Sequence, residues 1–299
     1  MQYRLAQEEG QGATVRRSIG GREVSYFDPF LLLDAFEVQK PAGFPDHPHR
    51  GFETVTYMTE GKFQHEDFCG HRGEIRSGDL QWMTAGRGIV HAEMPSGYGV
   101  NKGLQLWVNL SETNKLVEPS YQELLDKDIP KININDNKVQ IKVIAGRLFK
   151  FSSTGESHGT VSPVRTRTPT IYLDFTMKEN AFVEQKIPNE YNVFVYILTG
   201  EGYFNKAPGS TNQTLIFNQE GMSKKIKFVG DFIKVETKDS QLRFVLIAGM
   251  PLGEPVARQG PFVMNTKEEL QKAFEDYFSF KNGFEKAKNW ESQISRNSD

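Results

Sequence analysis

A single cysteine, Cys69, stands in the 299 residues, so no disulfide can close within the chain and a reducing compartment is expected. The opening residues, Met1 to Gln7, lack the apolar core of a signal peptide. Apolar runs such as Phe244–Gly249 fall far short of a membrane span. An excess of one charge is missing too. The 36 basic and 38 acidic side chains leave a net charge of −2, which offers no general attraction to nucleic acid or anionic lipid. One compact basic cluster, Lys224-Lys225-Ile226-Lys227, reads as a solvated strand face rather than a nuclear signal. The expectation is a cytoplasmic or nuclear protein without direct nucleic-acid binding and without a membrane.

Hydrophobic residues make up 37% of the chain and charged residues 25%, a globular balance, and the length suits two domains. Glycine and proline separate short apolar segments, several of them alternating at period two. Ile171, Leu173, Phe175 and Met177 would line one face of a strand over Thr170–Met177. Leu104, Leu106, Val108 and Leu110 do the same and are expected to point inward, whereas Asn192–Leu198 is apolar on both faces. One segment is helical by pattern. Thr266 and Glu269 form a capping box ahead of the stripe Leu270, Ala273, Phe274, Tyr277 and Phe278, and a second helical stretch runs from Phe284 to Trp290.

The two halves echo each other. Tyr57–Gly61 lines up with Tyr196–Gly200, and Gly78-Asp79-Leu80 with Gly230-Asp231-Phe232. The fold class expected is all-β: a duplicated antiparallel sandwich or barrel with a short C-terminal helical segment. The first domain would span residues 1–132 and bind metal. The second, metal-free and carrying the helix, would span 139–299, with the polar stretch Lys131–Lys138 as linker.

Five of the six histidines lie between residues 47 and 91. In a strand, residues two apart share a face, so His47-Pro48-His49 can aim both imidazoles at one point. His91-Ala92-Glu93 repeats this geometry with an imidazole and a carboxylate. Two such strands side by side would offer three nitrogens and one oxygen, a mixture suited to first-row divalent metals that leaves positions open. Glu53 competes with Glu93 because it has the parity of His47 and His49, but Gly51 can break that register. His65 and His71 bracket a turn, where a structural role outweighs one beside the ligands. Cys69, next to Asp67, has no cause for a lowered pKa. In the second half, Lys186 and Pro188 stand where the histidine pair would fall. The segment carrying His91 and Glu93 has no counterpart there, and His158 sits in a Ser/Thr/Gly-rich loop.

At these residues the sequence resembles the pirin family of the cupin superfamily. The matching stretches are Phe27–Leu32, Gly43–Val55, His65–His71, Gly78–Gly88, His91–Met94 and Gly260–Thr266. The resemblance implies two tandem cupin domains with one Fe2+ in the first, other divalent metals being possible, held by His47, His49, His91 and Glu93. In the general cupin motif the ligand glutamate falls where Glu53 stands, but in pirins the glutamate matching Glu93 serves. The resemblance also implies quercetin (flavonol) 2,3-dioxygenase activity, with Glu93 as the catalytic base and dioxygen as co-substrate. The alternative it implies is iron-dependent co-regulation of transcription through a transcription-factor partner.

Overall fold

The computed structural model describes residues 6–148, 159–218, 226–227 and 232–296. His158, Lys224, Lys225 and the Gly230-Asp231 pair lie outside them. The chain forms two compact units, one of Ala6–Asp126 together with the segment from Leu252 onward, the other of Lys127–Pro251.

The first unit is built from eleven strands: β1 (Gln7–Glu9), β2 (Ala13–Ile19), β3 (Phe30–Val38), β4 (Phe44–His49), β5 (Phe52–Glu60), β6 (Lys62–Asp67), β7 (Arg72–Arg76), β8 (Leu80–Thr84), β9 (Ile89–Pro95), β10 (Asn101–Asn109) and β11 (Ser120–Leu124). Seven pair in the order β1-β2-β3-β10-β5-β8-β11 and four in the order β4-β9-β6-β7, all antiparallel. This is the expected cupin-type sandwich. On β10, Leu104, Leu106 and Val108 are fully buried, as is Leu110 beyond the strand's end. They nonetheless face away from the cavity between the sheets. That cavity is lined by the alternate residues Gln105 and Trp107, so the inward face of β10 is the polar and aromatic one.

The second unit centres on a sheet ordered Lys131–Ile134, Val139–Ala145, Thr170–Met177, Leu242–Gly249, Asn192–Phe204, Thr214–Asn218 and Ile226–Lys227. The strand expected at Thr170–Met177 forms with those bounds, and Ile171, Leu173, Phe175 and Met177 enter one apolar core. Phe175 stacks on Phe244 at 4.7 Å, and Phe204 meets Phe244 edge-on at 5.1 Å. Aromatic and aliphatic side chains thus occupy the interior, and no histidine stands among the described residues of this unit. The expected linker is instead a hairpin. Lys131–Ile134 pairs with Val139–Ala145 around Asn135, Asp136 and Asn137, all in the left-handed region, a conformation that Asn and Asp tolerate.

The C-terminal segment departs furthest from expectation. Helix α1 (Lys267–Phe278) forms with the capping box intact, yet it belongs to the first unit rather than the second. Leu270 and Ala273 pack with Met83, Ile89, Val90 and Phe262, and Phe274 and Tyr277 lie against the same cluster. Phe278, at the edge of the stripe and the end of the helix, is exposed. Residues Glu285–Asn289 form a 3-10 turn, and Gln293–Arg296 a last turn of helix. Arg50 anchors this segment. Its side chain, 3% exposed, donates from Nη1 to Asp276 at 2.8 Å, from Nη2 to the Asn282 carbonyl at 2.6 Å, and from Nε to the Arg87 carbonyl at 2.6 Å. The Phe284 ring lies 4.7 Å from the guanidinium carbon.

Removing one partner of a buried ion pair leaves an uncompensated charge and costs about 3–5 kcal/mol. Asp276→Ala should therefore lower the melting temperature by on the order of 10 °C. Glu118→Ala, which deletes an exposed partner of Arg87, should cost less than about 1 kcal/mol. Calorimetry on both variants checks this, and equal small losses would mean that Arg50 does not hold the segment in place.

Candidate metal centre

Strands β4 and β9 lie side by side with His47 opposite His91, so side chains two residues apart on each strand converge. One ring nitrogen from each of His47, His49 and His91 lies within 4.8 Å of the other two. The rings pack at centroid distances of 4.4 to 5.0 Å. Nδ1 of His47 lies 2.7 Å from the Pro45 carbonyl, a geometry in which that nitrogen carries the proton and Nε2 keeps its lone pair. This Nε2 is 3.0 Å from Nε2 of His91. Two such nitrogens this close need a proton or a cation between them. Burial first, then the neighbouring imidazoles, holds His49 and His91 well below the ordinary histidine value, so both are neutral at pH 7. His49 also meets the Pro261 backbone, whereas Nδ1 of His91, whose Nε2 faces His47, is buried with no hydrogen-bond partner among the described residues. Three convergent imidazoles fit a divalent cation.

Glu93 does not join this cluster. Its carboxylate, buried on β9, accepts from Thr56 Oγ1 at 2.8 Å and from Gln105 Nε2 at 3.2 Å. Both partners follow from register, since Thr56 pairs with Gln105 across β5 and β10. Each carboxylate oxygen can accept further bonds. Glu53 takes a different course. It lies opposite Val108 and Thr84, on the face turned from the cavity, where Thr84 donates to it at 2.7 Å. Gly51 makes this possible by ending β4 with a φ of +88°, and a Cβ there would stand 1.9 Å from the Val263 carbonyl oxygen. The Gly51 amide donates to the Gly86 carbonyl at 2.8 Å. Its carbonyl accepts from buried Lys115 at 3.0 Å.

His47, His49 and Glu93 open on a cavity of about 650 Å³ between the two sheets. Its walls include Phe36, Phe44 and Trp107, with Pro261 from the C-terminal hairpin. Thr56, Gln105 and Trp107 escaped the sequence reading, although a tryptophan on the nominally polar face of an alternating strand was the signal. His65 and His71 remain outside the histidine cluster. His65 pairs with Glu123, while His71 and the Cys69 amide bond to Asp67, which organises the turn. Burial and then Asp67 push the Cys69 thiol up, as expected for an unreactive cysteine.

A family model described as Pirin matches residues 12–108, and one described as the Pirin C-terminal cupin domain matches residues 172–283. A pirin-like protein of Solanum lycopersicum is 53% identical over 292 residues, covering 96% of this chain and 93% of the relative. Pirin of Homo sapiens is 50% identical over 290 residues, covering 96% and 94%. Among solved structures, a quercetin 2,3-dioxygenase from Acinetobacter baumannii aligns with a TM-score of 0.81 at 30% identity, over 94% of this chain and 96% of that one.

The depressed histidines set a pH dependence for the metal-free protein. The unfolded chain takes up these protons near pH 6.5, but the folded chain resists them until lower pH. Stability is therefore kept above about 6.5 and lost as pH falls below it. Thermal melts from pH 8 to 5 should show this fall. His91→Gln, which removes one of the two groups, should flatten it; an unchanged slope would mean that the buried imidazoles do not govern it.

Proposed function

The chain belongs to the pirin family, and from that premise we propose that it is a metal-dependent dioxygenase of flavonols such as quercetin. The observation that carries this reading is a cluster of three convergent imidazoles, two of which line one partly apolar cavity together with a hydrogen-bonded carboxylate. Such a cavity is where sandwich and barrel folds hold small ligands.

His47, His49 and His91 would hold the metal, and Glu93, outside their cluster in the metal-free protein, would complete the set as fourth ligand when the ion is bound; iron is the proposed occupant, and other divalent metals suit the same donors. Bound there, the metal supplies Lewis acidity toward the adjacent hydroxyl and keto oxygens of the flavonol. Glu93 accepts the hydroxyl proton, as a carboxylate within reach of a substrate oxygen can. Thr56 and Gln105 fix its orientation before substrate arrives, so that less ordering remains to be done at the reacting centre. Phe36, Phe44 and Trp107 hold the rings and keep water from them. Dioxygen is the co-substrate that opens the ring. The protein has no helix among its described residues long and apolar enough to cross a membrane.

Two substitutions test the assignment. Glu93→Gln keeps the shape but removes the charge and the base, so metal should be held more weakly and turnover should drop ~10²–10⁴-fold. Glu53→Gln, on the far face of β5, should leave both near wild type. Elemental analysis and oxygen uptake with quercetin read the two effects separately. Metal lost from Glu53→Gln and retained by Glu93→Gln would transfer the ligand role to Glu53. Full metal occupancy in the wild type without flavonol turnover would favour a role through a transcription-factor partner.

A further inference from the structure

The cavity wall that carries His47 and His49 also carries a guanidinium with no carboxylate in hydrogen-bond contact. Two arginines line this space. Arg17 is committed: its Nε and Nη2 donate to Asp34 at 2.9 and 2.7 Å, and Nη2 also reaches Glu9 at 2.8 Å. Both cavity acids on that side are thereby answered. Arg258 stands on the strand Ala257–Gln259, which pairs with Phe262–Met264 in the C-terminal hairpin. It makes one hydrogen bond, from Nη1 to the Leu31 carbonyl at 2.7 Å. Its Nε and Nη2 have no partner among the described residues. Burial, then the like charge of Arg17, lowers its pKa, and the charges of Asp34 and Glu9 offset part of that shift.

The position of this charge is specific. The guanidinium carbon lies 5.0 Å from the centroid of Trp107, and the same indole meets His49 edge-on at 5.2 Å. Arg258 and the metal-side histidine thus flank one aromatic residue, a span that a molecule of two or three linked rings can bridge. A planar guanidinium already stacked on an aromatic face is held in one orientation, and its open edge matches two oxygens of a carboxylate.

We infer that Arg258 is a substrate-recognition residue that receives an acidic oxygen group, a carboxylate or an acidic phenol, at the end of an aromatic substrate remote from the histidines. This rests on the flavonol reading above and narrows its substrate class to compounds acidic at the distal ring.

Equilibrium binding to the metal-loaded full chain tests it, with 3-hydroxyflavone and its 4′-carboxylate as probes. The wild type should bind the carboxylate at least ~10-fold more tightly, as a charge-assisted hydrogen bond allows. In Arg258→Gln this ratio should collapse toward one at unchanged metal content. Arg258→Lys, which keeps the charge but loses the fork, should retain part of it. A purely structural arginine would shift both probes together and leave the ratio intact, which would overturn the inference. So would equal affinity for the two probes in the wild type, which leaves the flavonol reading standing. If neither probe binds the metal-loaded wild type, the flavonol reading fails and this inference fails with it.

Discussion

A guanidinium sealed from solvent is costly unless its donors are met, and the first unit is organised around meeting those of Arg50. This residue follows His49 directly. Its side chain reaches the Arg87 carbonyl in the turn between β8 and β9, and Asp276 and Asn282 at the end of the chain. Its backbone amide and carbonyl bond Pro261 and Val263. One residue therefore fixes the exit of the histidine strand, the turn before the second ligand strand, and the hairpin that closes the cavity. The cost of burying the charge is offset only while all these elements are in place, so the metal-side geometry and the C-terminal packing are one cooperative arrangement.

Within that frame, sheet register assigns the roles. Alternation sends Thr56, Gln105 and Trp107 toward the cavity and Glu53, Leu104, Leu106 and Val108 away from it. A slip of one residue would exchange the two sets. Glu93 is thus distinguished from Glu53 by which face of a strand it occupies. Gly51 is the residue that separates them, because a side chain there would collide with the Val263 carbonyl.

Period-two patterning made the same-face pairs His47/His49 and His91/Glu93 legible, and with them the strands and the convergent histidines. The capping box at Thr266 likewise marked its helix. Register across strands was not legible, so the hydrogen bonds of Thr56 and Gln105 to Glu93 had no sequence signature. The helix stripe showed that α1 packs, but a stripe of Leu270, Ala273, Phe274 and Tyr277 does not say on what. Chain order favoured the nearer second unit, and the structure places the helix on the first. Polarity misled at Lys131–Lys138, where Asn135-Asp136-Asn137 is a tight turn between paired strands rather than a tether.

The return of the chain to its first unit has a consequence for biosynthesis. A ribosome has delivered all the histidines of the metal centre once it passes residue 91, yet the hairpin and helix that complete their surroundings begin only after Pro251. The nascent first unit must wait through translation of the whole Lys127–Pro251 unit with the partners of Arg50 still unmade. The last folding step of the metal-side unit therefore follows synthesis of the whole second unit, however early the histidines are made. A premature stop codon within the second unit would remove no histidine of the metal centre and still leave that centre unfinished.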